Sequence, residues 1–110
     1  MTITIDDFAE LDIRVGTILE ALPAPKASKP AYQLKIDFGE LGMRTSSAQI
    51  TDLYSPEDLV GRQVIAIVNF PPKQIGEYES QVLVLGAYEP SGAVRLLQPE
   101  QPIENGARLK

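Results

Sequence analysis

Apolar and polar residues alternate most regularly along Tyr32-Gln33-Leu34-Lys35-Ile36-Asp37-Phe38. A strand puts Tyr32, Leu34, Ile36 and Phe38 on one face and Gln33, Lys35 and Asp37 on the other, as expected of a strand with one buried side. A period of two also runs through residues 13 to 22, with Ile13, Val15, Thr17 and Leu19 on one face and Arg14, Gly16, Ile18 and Glu20 on the other. Val64-Ile65-Ala66-Ile67-Val68 is apolar at every position, the pattern of a strand covered on both sides, and Val82-Leu83-Val84-Leu85 repeats it. Gly39-Glu40-Leu41-Gly42 reads as a hairpin turn into a third strand, Met43 to Ser47. A last short strand, Val94 to Leu97, precedes a proline-punctuated tail, Gln98 to Lys110.

Two short helices complete the set. Asp6 to Leu11 opens with carboxylates suited to the positive end of a helix dipole. Ser55-Pro56-Glu57-Asp58-Leu59 has a capping serine, a first-turn proline and early acids, and Gly61 closes it. The stretch Pro23 to Pro30 carries three prolines, which lack an amide donor, so it is a loop between the first two strands. Three strands, a helix, then two more strands is the order of an all-β, five-stranded OB-fold barrel, and the whole chain, residues 1–110, is expected to be one such domain. Another small barrel or a sandwich is the competing arrangement. A helical bundle does not fit, because no segment keeps a 3.6-residue period for more than two or three turns.

Composition narrows the chemistry. The chain has no Cys and no His, which removes thiol nucleophiles, Ser-His-Asp machinery and metal sites built on imidazole or thiolate. No metal or other cofactor is expected. Its acids are scattered singly, and Ser47 with Lys73 has no spacing that supports a nucleophilic pair, so no enzymatic centre is expected. Ten Lys and Arg against 15 Asp and Glu leave a net charge of −5, which argues against binding nucleic acid through a general positive field. The charge is uneven, however. Residues 1 to 20 hold five acids and one base, whereas residues 21 to 75 hold six bases against five acids. The opening, Met1-Thr2-Ile3-Thr4-Ile5-Asp6-Asp7, lacks the basic start and apolar run of a signal peptide, and no run is long enough to span a membrane, so a cytoplasmic location without membrane insertion is expected.

OB-folds bind ligands across strands two and three and between the loops that follow strands one and four. Here those places carry Lys26 and Lys29 in the first loop, Lys35 on strand two, Arg44-Thr45-Ser46-Ser47 on strand three, and Asn69-Phe70-Pro71-Pro72-Lys73-Gln74-Ile75 after strand four. Such cations, hydroxyls and amides suit phosphate, 2′-hydroxyl and base edges, and an aromatic suits an unpaired base. Plainer roles stand beside these. Tyr32 shares its face with core residues, Lys26 and Lys29 serve equally to solvate a proline loop, Ser46 and Ser47 serve equally to satisfy local backbone groups, and Phe70 serves equally in a core or an interface.

Asp7-Phe8-Ala9-Glu10-Leu11-Asp12-Ile13-Arg14-Val15-Gly16-Thr17-Ile18 resembles the opening motif of the tRNA-binding domain family, an OB-fold module also appended to some methionyl- and phenylalanyl-tRNA synthetases and found in endothelial monocyte-activating polypeptide. Lys29 to Gly39, Ser46 to Thr51 and Val68 to Ile75 extend the likeness, which runs from about Asp7 to Leu109 and is similar in detail to a free-standing branch described as secretion-related chaperones. The resemblance implies a homodimer, tRNA as a partner, and an affinity for unfolded or preprotein polypeptide. Carried over position by position, it implies binding roles for Arg44, Ser46, Ser47 and Gln49, for Asn69, Lys73 and Gln74, and for Ser80. Members of the family are commonly basic, and this chain departs from them in being acidic. Phe70, Ile75, Ile103 and Leu109 are apolar residues in loops and tail, and they are the expected dimer contacts.

Overall fold

The structure is a computed structural model and describes residues 1–25 and 29–110, so Lys26 lies outside the described residues. In chain order the elements are α1 (Ile5–Ala9), β1 (Ile13–Pro23), β2 (Tyr32–Asp37), a 3₁₀ turn (Gly39–Leu41), β3 (Met43–Ala48), α2 (Pro56–Leu59), β4 (Gln63–Ile67), β5 (Lys73–Ile75), β6 (Tyr78–Ser80), β7 (Leu83–Val84), β8 (Gly86–Tyr88) and β9 (Val94–Leu96). The five-stranded antiparallel sheet has the order β3-β2-β1-β4-β7, while β5-β6 and β8-β9 form two hairpins. It curls into a nearly closed barrel of the OB type, with α2 between β3 and β4 as the sequence predicts. No helix among the described residues is long and apolar enough to cross a membrane.

Regular alternation builds the core from β2: Leu34, Ile36 and Phe38 are fully buried and Tyr32 nearly so, joined by Ile18, Leu59 and Val64. Ser55 caps α2 by accepting from the Asp58 N–H, and the Asp58 carboxylate accepts from the Ser55 N–H in return. That reciprocal cap fixes a single turn, which is enough to drive Leu59 into the barrel.

The faces of β1 differ from the sequence expectation. Ile18 is fully buried and Leu19 is 42% exposed, on opposite faces as the period of two has it, but the β1–β2 register shifts between Ile18 and Glu20, so Glu20 leaves the Ile18 face and is exposed. The extra residue of this bulge reverses the in-out alternation beyond it. Gly16 also faces inward: a Cβ there would lie 2.7 Å from Ile36 Cγ2 and from the Phe38 ring, so only glycine lets these strands approach so closely. Ile13 and Val15 are covered instead by the tail, where Val15 N–H donates to Ala107 O, Gly106 N–H to Val15 O and Leu109 N–H to Ile13 O. Asn105 secures that tail by accepting from Thr17 Oγ1 and Gln63 Nε2.

The barrel closes between β3 and residues 79–82 without a continuous ladder. Gln81 and Val82 N–H both donate to Thr45 O, and side chains supply the rest. Thr45 N–H donates to Gln81 Oε1, Ser47 N–H donates to Ser80 Oγ, and Thr45 Oγ1 donates to Glu79 O. Ser46 Oγ donates to Val82 O at 2.9 Å. Strand-edge groups that would otherwise be unpaired are thereby satisfied.

Candidate nucleic-acid interface

Register across β1, β2 and β3 decides which side chains share a surface. Leu22, Gln33 and Ser47 form one cross-strand row, and Glu20, Lys35 and Thr45 the next. Both rows lie on the outer face, since the intervening rows, such as Leu34 with Ser46, point into the core. The β5–β6 hairpin packs over that outer face, with Tyr78 Oη donating to Leu34 O at 3.0 Å. Between the hairpin and the residues that follow β1 lies a groove of about 400 Å³, lined by Ala24, Pro25, Gln33, Ser47, Ile75 and Tyr78 among others.

Lys29, Lys35 and Lys73 are exposed, and none of them, nor Arg44, belongs to an ion pair among the described residues. Lys35 is in register with Glu20, which moderates its field. Arg44 pairs with buried Ile36 and so stands on the inward side, half-buried at the barrel mouth rather than beside Lys35. The arginines that do pair, Arg14 and Arg108 with Asp12 and Arg95 with Glu89, sit elsewhere and brace the tail and the β8–β9 hairpin.

Several of the residues singled out from sequence prove to be committed to the fold. Ser46 is 1% exposed and bonded to Val82 O, so it offers no surface group, and its polarity is explained by barrel closure. Ser80 Oγ accepts from Ser47 N–H. Asn69 clamps the exit of α1 to the end of β4: its Oδ1 accepts from Asp12 N–H and its Nδ2 donates to Glu10 O. Gln74 Nε2 donates to Gly76 O within its own hairpin. Ser47 and Gln49 remain available, since neither the Ser47 hydroxyl nor the Gln49 amide has a hydrogen-bond partner among the described residues. Of the expected dimer contacts, Phe70 and Ile103 are exposed at 44% and 46%, whereas Ile75 and Leu109 are half-buried.

The sequence reading missed Tyr78, Gln33 and Tyr88. The signal for the first was present, because Gly76-Glu77 is a two-residue loop with glycine at positive φ, the composition of a tight hairpin turn. Burial pushes the Tyr78 phenol above its ordinary value of 10.0, so it stays a hydrogen-bond donor. Gln33 and Ser47 give the groove an amide-and-hydroxyl floor, Glu77 lines it at the hairpin turn, and Lys35 lies two residues along β2 from Gln33 on the same outer face. This surface suits a phosphate backbone with base or sugar edges and holds no group of three potential metal ligands among the described residues.

Residues 13–108 match the family described as "Putative tRNA binding domain". A methionine–tRNA ligase of Porphyromonas gingivalis is 42% identical over 108 residues, covering 98% of this chain but only 16% of the ligase, so the chain spans about a sixth of that relative's length. The crystal structure of chaperone CsaA from Bacillus anthracis superposes with a TM-score of 0.95 at 49% identity, covering 100% of both chains. That of the CsaA chaperone protein from Picrophilus torridus gives 0.93 at 49% identity, over 99% of this chain and 100% of the other. With its barrel, its strand order and nearly its whole length accounted for in this way, the chain belongs to the tRNA-binding domain family.

Proposed function

We propose that this chain binds tRNA without chemical turnover, gripping backbone and exposed edges in the groove between the β5–β6 hairpin and β2–β3, and that it does so in the cytoplasm as a homodimer. The observation that carries this reading is a groove floored by Gln33 and Ser47, on the outer face that also carries exposed Lys35 and beneath the hairpin that carries exposed Lys73, neither of them in an ion pair among the described residues. A few local cations let an acidic protein hold RNA at one place while its net charge repels nonspecific contact. Phe70 and Ile103 support the dimer, because exposed apolar side chains are stabilised by covering them, and two-fold pairing presents two such grooves to one RNA.

Holding extended polypeptide by strand pairing is the weaker reading. The Thr45 and Ser47 N–H groups on the outer edge of β3 are already bonded to Gln81 and Ser80.

Labelled tRNA titrated at several salt concentrations tests the proposal. Neutralising three or four phosphates gives a slope of log affinity against log salt of roughly −2 to −3. Absence of saturable binding even at low salt would overturn it, and a monomer at micromolar concentration in a sedimentation experiment would overturn the dimer.

A further inference from the structure

Barrel closure stops at Ser46 and Ser47. Beyond them the end of β3 and the β7–β8 segment diverge, leaving a second, larger groove of about 630 Å³ bordered by Lys29, Ser47, Gln49, Asp52, Val84 and Tyr88. Ser47 also lines the first groove, so the two are neighbours across that residue. Tyr88 is the most exposed aromatic of the chain, at 83%. Its backbone is nonetheless held, because Tyr88 is in register with Val94 on β9 and the Arg95–Glu89 ion pair braces the same hairpin. An aromatic ring presented to solvent on a fixed strand loses little freedom when something stacks on it.

On these observations, and resting on the RNA reading above, we infer that the second groove takes an unpaired nucleotide of the bound RNA, with its base stacked on Tyr88 and its phosphate at Lys29. The ring supplies a face for any base. The unbonded Ser47 hydroxyl and Gln49 amide supply donors and acceptors for base or sugar edges. Asp52 on the wall disfavours phosphate within the groove and suits a base amino group, which leaves the backbone at the Lys29 rim. Ser47, shared by both linings, sets this subsite next to the first groove.

Tyr88→Ala, Tyr88→Phe and Tyr88→Trp test this with labelled tRNA, a short single-stranded oligoribonucleotide and a blunt RNA duplex as probes. Tyr88→Ala is expected to weaken tRNA binding about five- to tenfold with an unchanged salt slope, since stacking releases no counterions, and Tyr88→Phe is expected to keep wild-type affinity. The chain has no tryptophan, so Tyr88→Trp introduces a single reporter whose emission the oligoribonucleotide should quench and the blunt duplex should not. Wild-type affinity in Tyr88→Ala, or an unquenched reporter at saturating tRNA, overturns the subsite while leaving tRNA binding intact. Quenching by an extended apolar peptide but not by RNA overturns it as well. No tRNA binding by the wild-type chain fails the underlying reading and this one together.

Discussion

Ser46 and Ser47 are neighbours with opposite assignments, and replacing each by alanine separates them. Ser46 is 1% exposed and its hydroxyl donates to Val82 O, which belongs to a residue itself only 4% exposed. Ser46→Ala therefore leaves a buried carbonyl without that donor, at a cost of about 1–3 kcal/mol. At roughly 4–8 °C per kcal/mol for a domain near this size, the melting temperature should fall by at least several degrees. Ser47 is half-buried, its hydroxyl is unpartnered among the described residues, and its seam contact is made by the backbone N–H, which alanine retains. Ser47→Ala should stay within about 0.5 kcal/mol of wild type in stability. Its effect should appear in tRNA affinity, measured well below either melting point, where Ser46→Ala binds normally. Unchanged melting of Ser46→Ala together with weakened tRNA binding would return Ser46 to the RNA surface and contradict the account of the seam.

Gly16→Ala forces a methyl to within 2.7 Å of Ile36 and Phe38, both fully buried, and should cost about 1–3 kcal/mol by urea denaturation; an unshifted midpoint would mean that β1 and β2 are free to separate there. Burial raises the Tyr78 pKa in the folded state, so the folded chain holds that proton more tightly than the unfolded one. The resulting stability is fully present below 10.0 and is lost as pH rises through the raised value. Stability measured from neutral pH to above 10.0 should decline less steeply in Tyr78→Phe than in wild type, and parallel curves would place the phenol in solvent. Lys35→Ala should leave melting unchanged and reduce the magnitude of the salt slope for tRNA by about 0.7, whereas an unaltered slope would remove Lys35 from the interface.

The parts of the fold legible in the sequence were those governed by local chemistry. Tyr32 to Phe38 alternate without interruption, so their inward and outward faces follow directly, and Lys35 was correctly placed outside. The Ser55–Pro56–Asp58 cap likewise fixes α2 from four residues. In β1 the period of two sets Ile18 and Leu19 on opposite faces, but Glu20 joins Leu19 outside because the bulge after Ile18 adds a residue that hydrophobicity does not announce. The facing of Arg44 is not legible in the sequence for a related reason: it depends on the register that the turn through Gly39 and Gly42 imposes, which sets it opposite Ile36. Ser46 drew attention as a polar residue in a strand, but its partner, Val82, is 36 residues away and joins it only when the barrel closes. The β5–β6 hairpin was read as loop, although Gly76-Glu77 between Ile75 and Tyr78 encodes it.

Photocrosslinking of bound tRNA to the intact chain, with the attached residues mapped by mass spectrometry, addresses the location of binding most directly. Attachment should fall along the two neighbouring grooves, at Lys29, Ser47, Tyr78 and Tyr88. Attachment confined to residues outside them, such as Arg62 and Gln98, would contradict the account.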